Sequence, residues 1–400
     1  MSESHATPRD APRRNVLLLG LVSFVNDTSS KMILPLLPLF IVHLGGGGLA
    51  VGLVAGVGDA LASLAKWYAG HWSDRLGRRK GLVFAGYLVS AVAKLLLAVA
   101  SQWTHVLVLR AGERLGKGVR SAPRDALLAA STERGARGRG FGLHRAMDSA
   151  GAVTGTLVAF LLYWWLEWSF AQLFLVAGLI GLVSLLPLIG VREAPPAPAS
   201  AERQSPVIAL PAGVGPVLVA SGLFALGNFS YMFFVLRSTV VFDERLAVAA
   251  PILLYGLFQL VYTLFAYPAG LLSDRVGRRR VVLVGFLLFA GVSGGFAIAS
   301  GAASFVLLFA LYGLSYALVE ANSRALVADL APAARRGGVL GLYYLVITLA
   351  ALPAALIAGW LWDQDPLWTF YYGAMLALLA GMVMGVWVRE PGPVDVDGGG

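Results

Sequence analysis

A ten-residue sequence occurs twice in this chain: residues 70–79 read GHWSDRLGRR and residues 270–279 read GLLSDRVGRR. Each copy lies in a short basic segment between two long apolar stretches. Outside this segment the two halves are less similar, but Arg124 of the first half matches Arg324 of the second. The repetition predicts an internal duplication, in which each half of the chain is one copy of the same helical unit.

The composition indicates that most of the chain lies in lipid. Of 400 residues, 58% are hydrophobic and 13% are charged, whereas a soluble domain has about 25% charged residues. Mean hydropathy is +0.75. Apolar runs of about 20 residues recur along the sequence, which is the length an α-helix needs to cross a bilayer. Because the runs are continuously apolar and do not alternate, we expect an all-α membrane protein and not a β-barrel.

The apolar runs and the polar breaks between them predict about twelve membrane-spanning helices, which we number as spans 1–12. Their predicted ranges are 16–42, 49–71, 81–101, 104–128, 141–164, 169–190, 213–236, 249–271, 281–300, 303–329, 338–361 and 367–388. A segment rich in Pro, Ala and Ser between spans 6 and 7 is too polar to cross the membrane and reads as a linker. The predicted order is a cytoplasmic tail, a six-helix bundle, a cytoplasmic linker, a second six-helix bundle and a cytoplasmic tail, at 1–15, 16–190, 191–212, 213–388 and 389–400.

The basic loop residues predict the topology. Lys and Arg cluster in the loops after spans 2, 4, 8 and 10, whereas the loops at 43–50, 101–104 and 363–367 contain none. By the positive-inside rule, both termini lie in the cytoplasm and the chain is a multi-pass protein of the bacterial inner membrane. The net charge of +9 reflects this topology, so we expect no nucleic acid partner. Residues 1–14 are polar and no cleavage-like site follows, so span 1 is expected to stay in the mature protein.

Several kinds of chemistry are excluded by the residues present. The chain has no cysteine, which excludes disulfides, thiolate metal sites and cysteine nucleophiles. Its five histidines are scattered and indicate no metal site. Residues 291–294 read GVSG, as in intramembrane serine proteases, but no histidine lies in spans 6–12 to activate Ser293. We therefore expect a protein that is not an enzyme.

The repeated G-x-x-x-D-R-x-G-R-R sequence resembles the signature loop of the major facilitator superfamily. The resemblance covers nearly the whole chain and implies two six-helix halves around a central cavity, with transport by alternating access. It implies a conformational switch role for Gly70, Asp74, Arg75, Gly77, Arg78, Asp125, Gly270, Asp274, Arg275 and Arg278. Gly70 and Gly270 would let a neighbouring helix approach closely, and the two aspartates can accept hydrogen bonds from backbone amides at a helix start.

Further motifs resemble subgroups of that superfamily. Residues 26–30 read NDTSS and residues 35–40 read PLLPLF, which is similar to a bacterial subgroup of efflux-type transporters. Residues 114–118, RLGKG, resemble a motif whose arginine is associated with proton coupling. Gly151 and Gly155 of span 5 fit the antiporter motif, but Thr156 stands where that motif has proline. Because the motif is incomplete, the support that it gives to proton antiport is weaker.

Charged residues within the predicted spans are the main functional signal. A charged side chain in mid-membrane costs about 2.5–3.5 kcal/mol on the mildest scale, so it requires a partner, water or a function. In span 4 such residues fall within roughly 140° of arc; they are Arg110, Glu113, Arg114, Lys117, Arg120, Ser121, Arg124 and Asp125. This polar face predicts a helix that lines a water-filled cavity. The alternative is a set of internal ion pairs that only hold span 4 to its neighbours.

Asp27, in the middle of span 1, is the leading candidate for proton coupling. It lies one turn from Lys31 and can pair with that residue or with span 4. Burial favours the neutral form of a carboxylate and nearby cations favour the charged form, so alternating exposure could switch its protonation. Further candidates are Glu113, Arg114, Asp148 and Glu320. A permanently paired structural aspartate is the alternative.

Candidates for substrate binding come from both halves. They are Asn26, Lys31, Arg114, Lys117, His144, Asn228, Tyr231, Gln259, Tyr312 and Tyr316. The cations of span 4 would bind a charged end, and the aromatic residues of the second half would suit an apolar body. The alternatives are ordinary helix packing for the aromatic residues and a hydrogen-bonded structural role for His144.

The sequence thus predicts a proton-coupled secondary transporter that exports a small anionic or zwitterionic organic compound. It would use the proton gradient without a cofactor and act as a monomer in the lipid bilayer. Uptake of a metabolite, or efflux of a metal ion or its chelate, by the same fold remains open. A membrane receptor that does not transport is a more distant alternative.

Overall fold

The computed structural model describes residues 10–76, 79–132, 137–193, 210–211, 213–332 and 335–388. Its α-helices in these ranges are α1 (Asp10–Ile33), α2 (Leu37–His43), α3 (Gly48–Leu76), α4 (Lys80–Leu96), α5 (Trp103–Ala130), α6 (Arg137–Leu166), α7 (Phe170–Val183), α8 (Leu185–Ile189), α9 (Val214–Gly227), α10 (Tyr231–Ser238), α11 (Leu246–Val276), α12 (Arg278–Ile298), α13 (Ala302–Leu330), α14 (Arg336–Gln364) and α15 (Pro366–Val386). No β-strand occurs in the described ranges, and the predicted all-α fold is confirmed.

Three of the predicted spans are not continuous helices. Span 1 is α1 followed by α2, and the break lies at Leu34–Leu36. Pro35 explains this break, because proline has no N–H to donate and disfavours helical geometry in the residue before it. Span 7 is α9 followed by α10, with a break at residues 228–230, and span 6 divides into α7 and α8 at Ser184. Each of these three predicted spans is present as a candidate membrane span, but the α-helix within it is interrupted.

Eleven candidate membrane spans are found among the described residues by length and hydropathy. The predicted span that is missing from this set is span 4, which is α5. It is a helix of 28 residues, about as long as α3, but its charged residues interrupt the apolar stretch that the other spans contain. α5 packs against α3 and α4, so protein contacts replace lipid contacts along much of its length.

The chain divides into two compact units. The first unit is Met1–Ser200 with Ser238–Gly256, and the second is Ala201–Arg237 with Leu257–Gly400. The first unit therefore includes residues that the sequence analysis placed in the second bundle. The predicted domain boundaries stay predictions, and most of the predicted linker lies outside the described residues.

Both units follow the same packing order. In the first unit α5 packs on α4, α4 on α7, α7 on α1 and α1 on α6. In the second unit α13 packs on α12, α12 on α15, α15 on α9 and α9 on α14. In terms of spans, both orders connect the fourth, third, sixth, first and fifth span of a half. The internal duplication predicted from residues 70–79 and 270–279 is therefore visible in the packing of the helices.

Small residues allow the closest helix contacts. On α6, a Cβ added to Gly151 or Gly155 would overlap the backbone of Phe24 or Thr28 on α1. Close backbone approach through glycine is a common means of helix association in membranes, where helices gain little from apolar burial. The two glycines that resemble the antiporter motif therefore serve the contact between α1 and α6 in this structure.

We predict that Gly155→Leu destabilises the first unit, because the new side chain would overlap the backbone of Thr28. Overpacking of this kind costs about 1–3 kcal/mol, so the midpoint of thermal unfolding in detergent should fall. Gly142→Leu on the same helix is the matched control, because a Cβ at Gly142 has no neighbour within 4 Å. Equal midpoints for the two variants would contradict the assignment.

Candidate functional site

The polar face predicted for span 4 is present on α5, and its residues have two different surroundings. Glu113 and Arg120 are buried, with relative exposures of 4% and 3%. Ser90 Oγ of α4 donates to the carbonyl of Glu113 at 3.0 Å and accepts from Arg120 at 2.5 Å. The Arg120 guanidinium also lies 4.3 Å from the ring centroid of Tyr87. These buried residues join α5 to α4 through a hydroxyl bridge and a cation–π contact, without an ion pair between the described residues of the two helices.

Carboxylates compensate several cations of α5. Arg110 pairs with Glu113 at 2.5 Å, and Arg124 pairs with Asp125 at 2.9 Å. Arg114 pairs with Asp59 on α3, which joins α5 to a second neighbour. Glu113 and Arg114, both candidates for proton coupling, are thus parts of ion pairs, and Asp125 is paired within its own helix.

Lys117 differs from these cations. Its side chain is exposed, and it makes no hydrogen bond or ion pair with any residue in the described ranges. It lies one turn beyond Arg114, whose charge is shared with Asp59. An exposed ammonium on a membrane span requires water or a ligand, so Lys117 is open for binding an anion.

Asp27 and Lys31 on α1 are not brought together. Lys31 Nζ donates to the hydroxyl of Tyr255 at 3.2 Å, and it lies 5.6 Å from the centroid of that ring. Tyr255 belongs to the part of α11 that is included in the first unit. The Asp27 carboxylate accepts a hydrogen bond of 3.2 Å from the side-chain amide of Asn26, and within the described ranges it forms no ion pair. The helical spacing permits a pair between Asp27 and Lys31, but Tyr255 binds the ammonium instead.

Lys94 on α4, which is 1% exposed, is not among the site residues predicted from the sequence. Its ammonium donates to Ser30 Oγ at 2.8 Å, Ser29 Oγ at 3.0 Å and Asn26 Oδ1 at 3.4 Å, all on α1. The three acceptors are neutral, and Lys94 forms no ion pair with the described residues. A lysine inside the apolar range 81–101 was the signal that could have found it, by the same rule that selected Lys31 and Lys117.

His144 and Asp148 on α6 form a buried pair. His144 is 5% exposed, and its Nδ1 lies 3.6 Å from Asp148 Oδ2. Ser23 of α1 donates to the other carboxylate oxygen. The pair therefore joins α6 to α1, which agrees with the structural interpretation of His144 better than with exposure to a substrate.

The second unit contains a cavity of about 240 Å³ between α9, α12, α13 and α14. Three predicted site residues line it, namely Asn228, Tyr316 and Glu320. Asn228 Nδ2 donates to the hydroxyl of Tyr316 at 3.1 Å. The other lining residues include four aromatic side chains and one arginine; they are Phe224, Phe286, Tyr343, Tyr344 and Arg324.

Glu320 is the charged centre of this cavity. It pairs with Arg324 at 2.9 Å and accepts a hydrogen bond of 2.5 Å from the hydroxyl of Tyr262. Arg324 is one helical turn from Glu320, so the cavity holds a compensated ion pair among aromatic rings. This arrangement suits a molecule with an apolar ring and polar substituents.

The remaining candidates of the second half are not part of the cavity lining. Tyr312 is fully buried, and its ring centroid lies 4.4 Å from that of Phe234 and 4.6 Å from that of Phe258. It belongs to the aromatic core of the unit, which is the packing alternative stated for these residues. Tyr231 and Gln259 are half-buried on α10 and α11 and do not contact the cavity.

The second copy of the signature loop fixes the start of α12. Arg278 bridges Asp274 at 3.5 Å and Asp329 of α13 at 3.0 Å. Gly277 has φ of 99°, a conformation that L residues other than glycine rarely adopt. Arg279 donates to the carbonyls of Met384 and Gly385 on α15, whereas Arg275 is exposed.

The first copy is described only in part. Gly77 and Arg78, and the side chains of Asp74 and Arg75, lie outside the described residues. The expected close approach at the first glycine of each copy was wrong. A Cβ at Gly70 would meet Ala122 at an ordinary 3.5 Å, and a Cβ at Gly270 would have no neighbour within 4 Å.

No cluster of three His, Asp or Glu side chains suited to a metal ion occurs in the described ranges. For the chain as a whole, the absence of a metal site stays a prediction from the sequence.

Comparison with known proteins agrees with this arrangement. Residues 19–255 and 217–399 match the sequence model of the Major Facilitator Superfamily. An uncharacterized MFS-type transporter of Methanocaldococcus jannaschii is 42% identical over 375 residues, which cover 93% of this chain and 94% of that protein. The multidrug resistance protein MdtH of Cronobacter sakazakii is 26% identical, with 83% of this chain and 82% of that protein covered.

Solved structures show the same fold at low identity. The nucleoside transporter NupG aligns with a TM-score of 0.76 and 14% identity over 92% of this chain and 98% of that one. A bacterial homolog of the human lysosomal transporter Spinster aligns with a TM-score of 0.72 and 13% identity over 96% of both chains. The relatives with a functional name are transporters, which confirms the prediction of a protein that is not an enzyme. The chain is a multi-pass membrane protein that belongs to the major facilitator superfamily of transporters.

Proposed function

We propose that this protein is a proton-coupled secondary transporter that works by alternating access and exports a small anionic or zwitterionic organic compound. The observation that carries the proposal is Lys117, an exposed residue on a membrane span whose ammonium makes no hydrogen bond or ion pair with the described residues. Its charge is available to a ligand, whereas the neighbouring Arg114 is compensated by Asp59. An anionic group is the ligand that this surface favours.

The second unit supports a substrate with an apolar body. Its cavity is lined by aromatic rings, and the charges of Glu320 and Arg324 compensate each other. A pocket of this kind binds apolar surface through its walls and selects orientation through a few polar groups. The cavity of the second unit is thus suited to the apolar body of an organic compound.

Asp27 supports proton coupling. It is half-buried, it forms no ion pair within the described ranges, and its hydrogen bond comes from the neutral amide of Asn26. A carboxylate in this position has no salt bridge to a described residue that proton binding would have to break. The proton gradient would then be the energy source, and no cofactor is needed.

Export is supported by the relative MdtH, which is named for multidrug resistance, and by the resemblance of span 1 to efflux-type transporters. The basic loops support an inner-membrane protein with both termini in the cytoplasm. The proposed active form is a monomer.

The charge of the α5 surface can be measured without knowing the substrate. The chain has no cysteine, so Lys117→Cys introduces one thiol. We predict that a sulfonate thiol reagent labels this cysteine about tenfold faster than a trimethylammonium reagent, after correction for their rates with free cysteine. The physical reason is the basic excess of α5: Arg114 is the strongest charged neighbour of this position, ahead of Asp27, Glu113 and Lys31.

Two controls make this labelling experiment specific. Ser304→Cys lies at an exposed position flanked by uncharged residues in the second unit. Its ratio of labelling rates with the two reagents should equal that of free cysteine. Adding Arg114→Gln to Lys117→Cys should reduce the preference for the sulfonate. A preference for the cationic reagent at Lys117→Cys would refute an anionic cargo.

We predict that Asp27→Asn abolishes accumulation against a gradient and retains exchange at equal concentrations, because the variant cannot bind and release a proton. The substrate is first identified by a metabolite, drug and metal susceptibility screen of expressing and deleted cells. Flux is then measured in proteoliposomes with an imposed pH gradient. Uphill transport by Asp27→Asn with unchanged pH dependence would exclude Asp27 as the coupling site. Substrate flux in the same direction as the proton flux would show uptake instead of export.

A further inference from the structure

The ion pairs of the first unit leave Asp27 and two buried cations, Lys94 and Arg120, without an oppositely charged group in direct contact among the described residues. Arg120 is bound instead by Ser90 Oγ and the carbonyl of Gly86. Glu113 is compensated by Arg110, Asp59 by Arg114 and Asp125 by Arg124. Asp148 has His144 and Ser23. Of the three groups without such a partner, Asp27 and Lys94 contact the same side chain.

The side-chain amide of Asn26 connects these two groups. Its Nδ2 donates to Asp27 Oδ1 at 3.2 Å, and its Oδ1 accepts from Lys94 Nζ at 3.4 Å. The amide therefore presents its positive end to the carboxylate and its negative end to the ammonium. This orientation is the favourable one only while Asp27 is charged, because a neutral carboxylic acid no longer attracts the donor as strongly.

We propose that Lys94, acting through the Asn26 amide, is the buried counter-charge of Asp27, and that protonation of Asp27 loosens the attachment of α1 to α4. Lys94 is a positioning residue in this scheme, since it need not touch the substrate. The inference rests on the proposed role of Asp27 as the proton carrier. It explains how a proton bound by one side chain could change the packing of a whole helix.

The attachment in question consists of few contacts. Lys94 donates to Asn26, Ser29 and Ser30, which span more than one turn of α1. Ser29 in turn donates to the carbonyl of Ala177 on α7 at 2.5 Å. A buried ammonium in contact only with neutral oxygens depends on nearby carboxylates, which for Lys94 are Glu113 and then Asp27. Loss of the Asp27 charge therefore removes part of the electrostatic support for these contacts.

Other charged groups also lie near Asp27 and Lys94, and the variants described below do not replace them. Asp27 is within electrostatic reach of Lys31, Lys94, Lys117, Arg120, His144 and Tyr255. Lys94 is within reach of Glu113, Arg110 and Arg120 on α5, while Arg145 and Asp148 face α1 from α6. α7 and α8 contain no charged residue.

The experiment measures protonation directly, without a substrate. Purified protein in vesicles of phosphatidylethanolamine and phosphatidylglycerol is titrated with pH by difference infrared spectroscopy. The carbonyl stretch of protonated Asp27 is assigned by its loss in Asp27→Asn. In Lys94→Met the midpoint of this band should move to higher pH by about one unit, because removal of a cation favours the protonated carboxyl. Lys94→Arg should keep the wild-type midpoint.

A double-mutant cycle separates the Asn26 connection from a general effect of charge. Asn26→Leu should also raise the midpoint, and Lys94→Met in that background should add less than it does alone, because the connection is already broken. Lys66→Met, which removes an exposed lysine of α3, is the matched control and should leave the midpoint unchanged. Additive shifts, or an unchanged midpoint in folded Lys94→Met, would overturn the proposal.

The movement of α1 is tested by backbone hydrogen exchange. In wild-type protein the exchange of residues 23–33 should speed up below the midpoint of the Asp27 band. In Asp27→Asn and Lys94→Gln it should be fast at every pH. If the exchange rate of α1 in wild-type protein does not depend on pH, the proposed coupling between protonation of Asp27 and the packing of α1 is refuted. Neither measurement requires transport. If Asp27→Asn still transports uphill with unchanged pH dependence, proton coupling by Asp27 is rejected, whereas the effect of Lys94 on the Asp27 band is judged separately.

Discussion

Removing a charge from water is so unfavourable that every ionisable side chain of a membrane span must have a partner, water or a ligand. The arrangement of the first unit follows from this constraint. α5 carries more charged residues than the other membrane spans. It packs against α3 and α4, where Asp59 pairs with Arg114 and Ser90 accepts a hydrogen bond from Arg120. Contacts with neighbouring helices therefore make this span compatible with the membrane.

The two units share a packing order and differ in chemistry. The first unit contains the charged residues of α5, whereas the second contains an aromatic core in which Phe234 contacts Phe289, Phe296 and Tyr312. The ion pair that lines the cavity, Glu320 with Arg324, lies on α13, the counterpart of α5. Duplication thus preserved the helix contacts while the side chains within them diverged, which is consistent with a fold that hosts many substrates.

The fold was predictable because helix length and loop charge are local properties of the sequence. Apolar run lengths gave the spans, and the repeated decapeptide gave the duplication. The polar face of α5 was also predictable from helical periodicity. What periodicity could not give is which partner each charge takes: Lys31 is within one turn of Asp27 yet binds Tyr255, which is far away in sequence. Tyr312 was likewise indistinguishable from Tyr316 by spacing, although one is in the core and the other lines the cavity.

The breaks at residues 34–36 and 228–230 have a consequence for lipid accessibility. Where a helix is interrupted, some backbone N–H and C=O groups lose their helical partners, and hydrocarbon cannot replace them. The first span of each half is interrupted, in one case at Pro35 and in the other without a proline. These segments must therefore face protein or water at membrane depth. A photoactivatable lipid would be expected to leave both breaks unlabelled while it reacts with the exposed apolar residues of α3, such as Leu64.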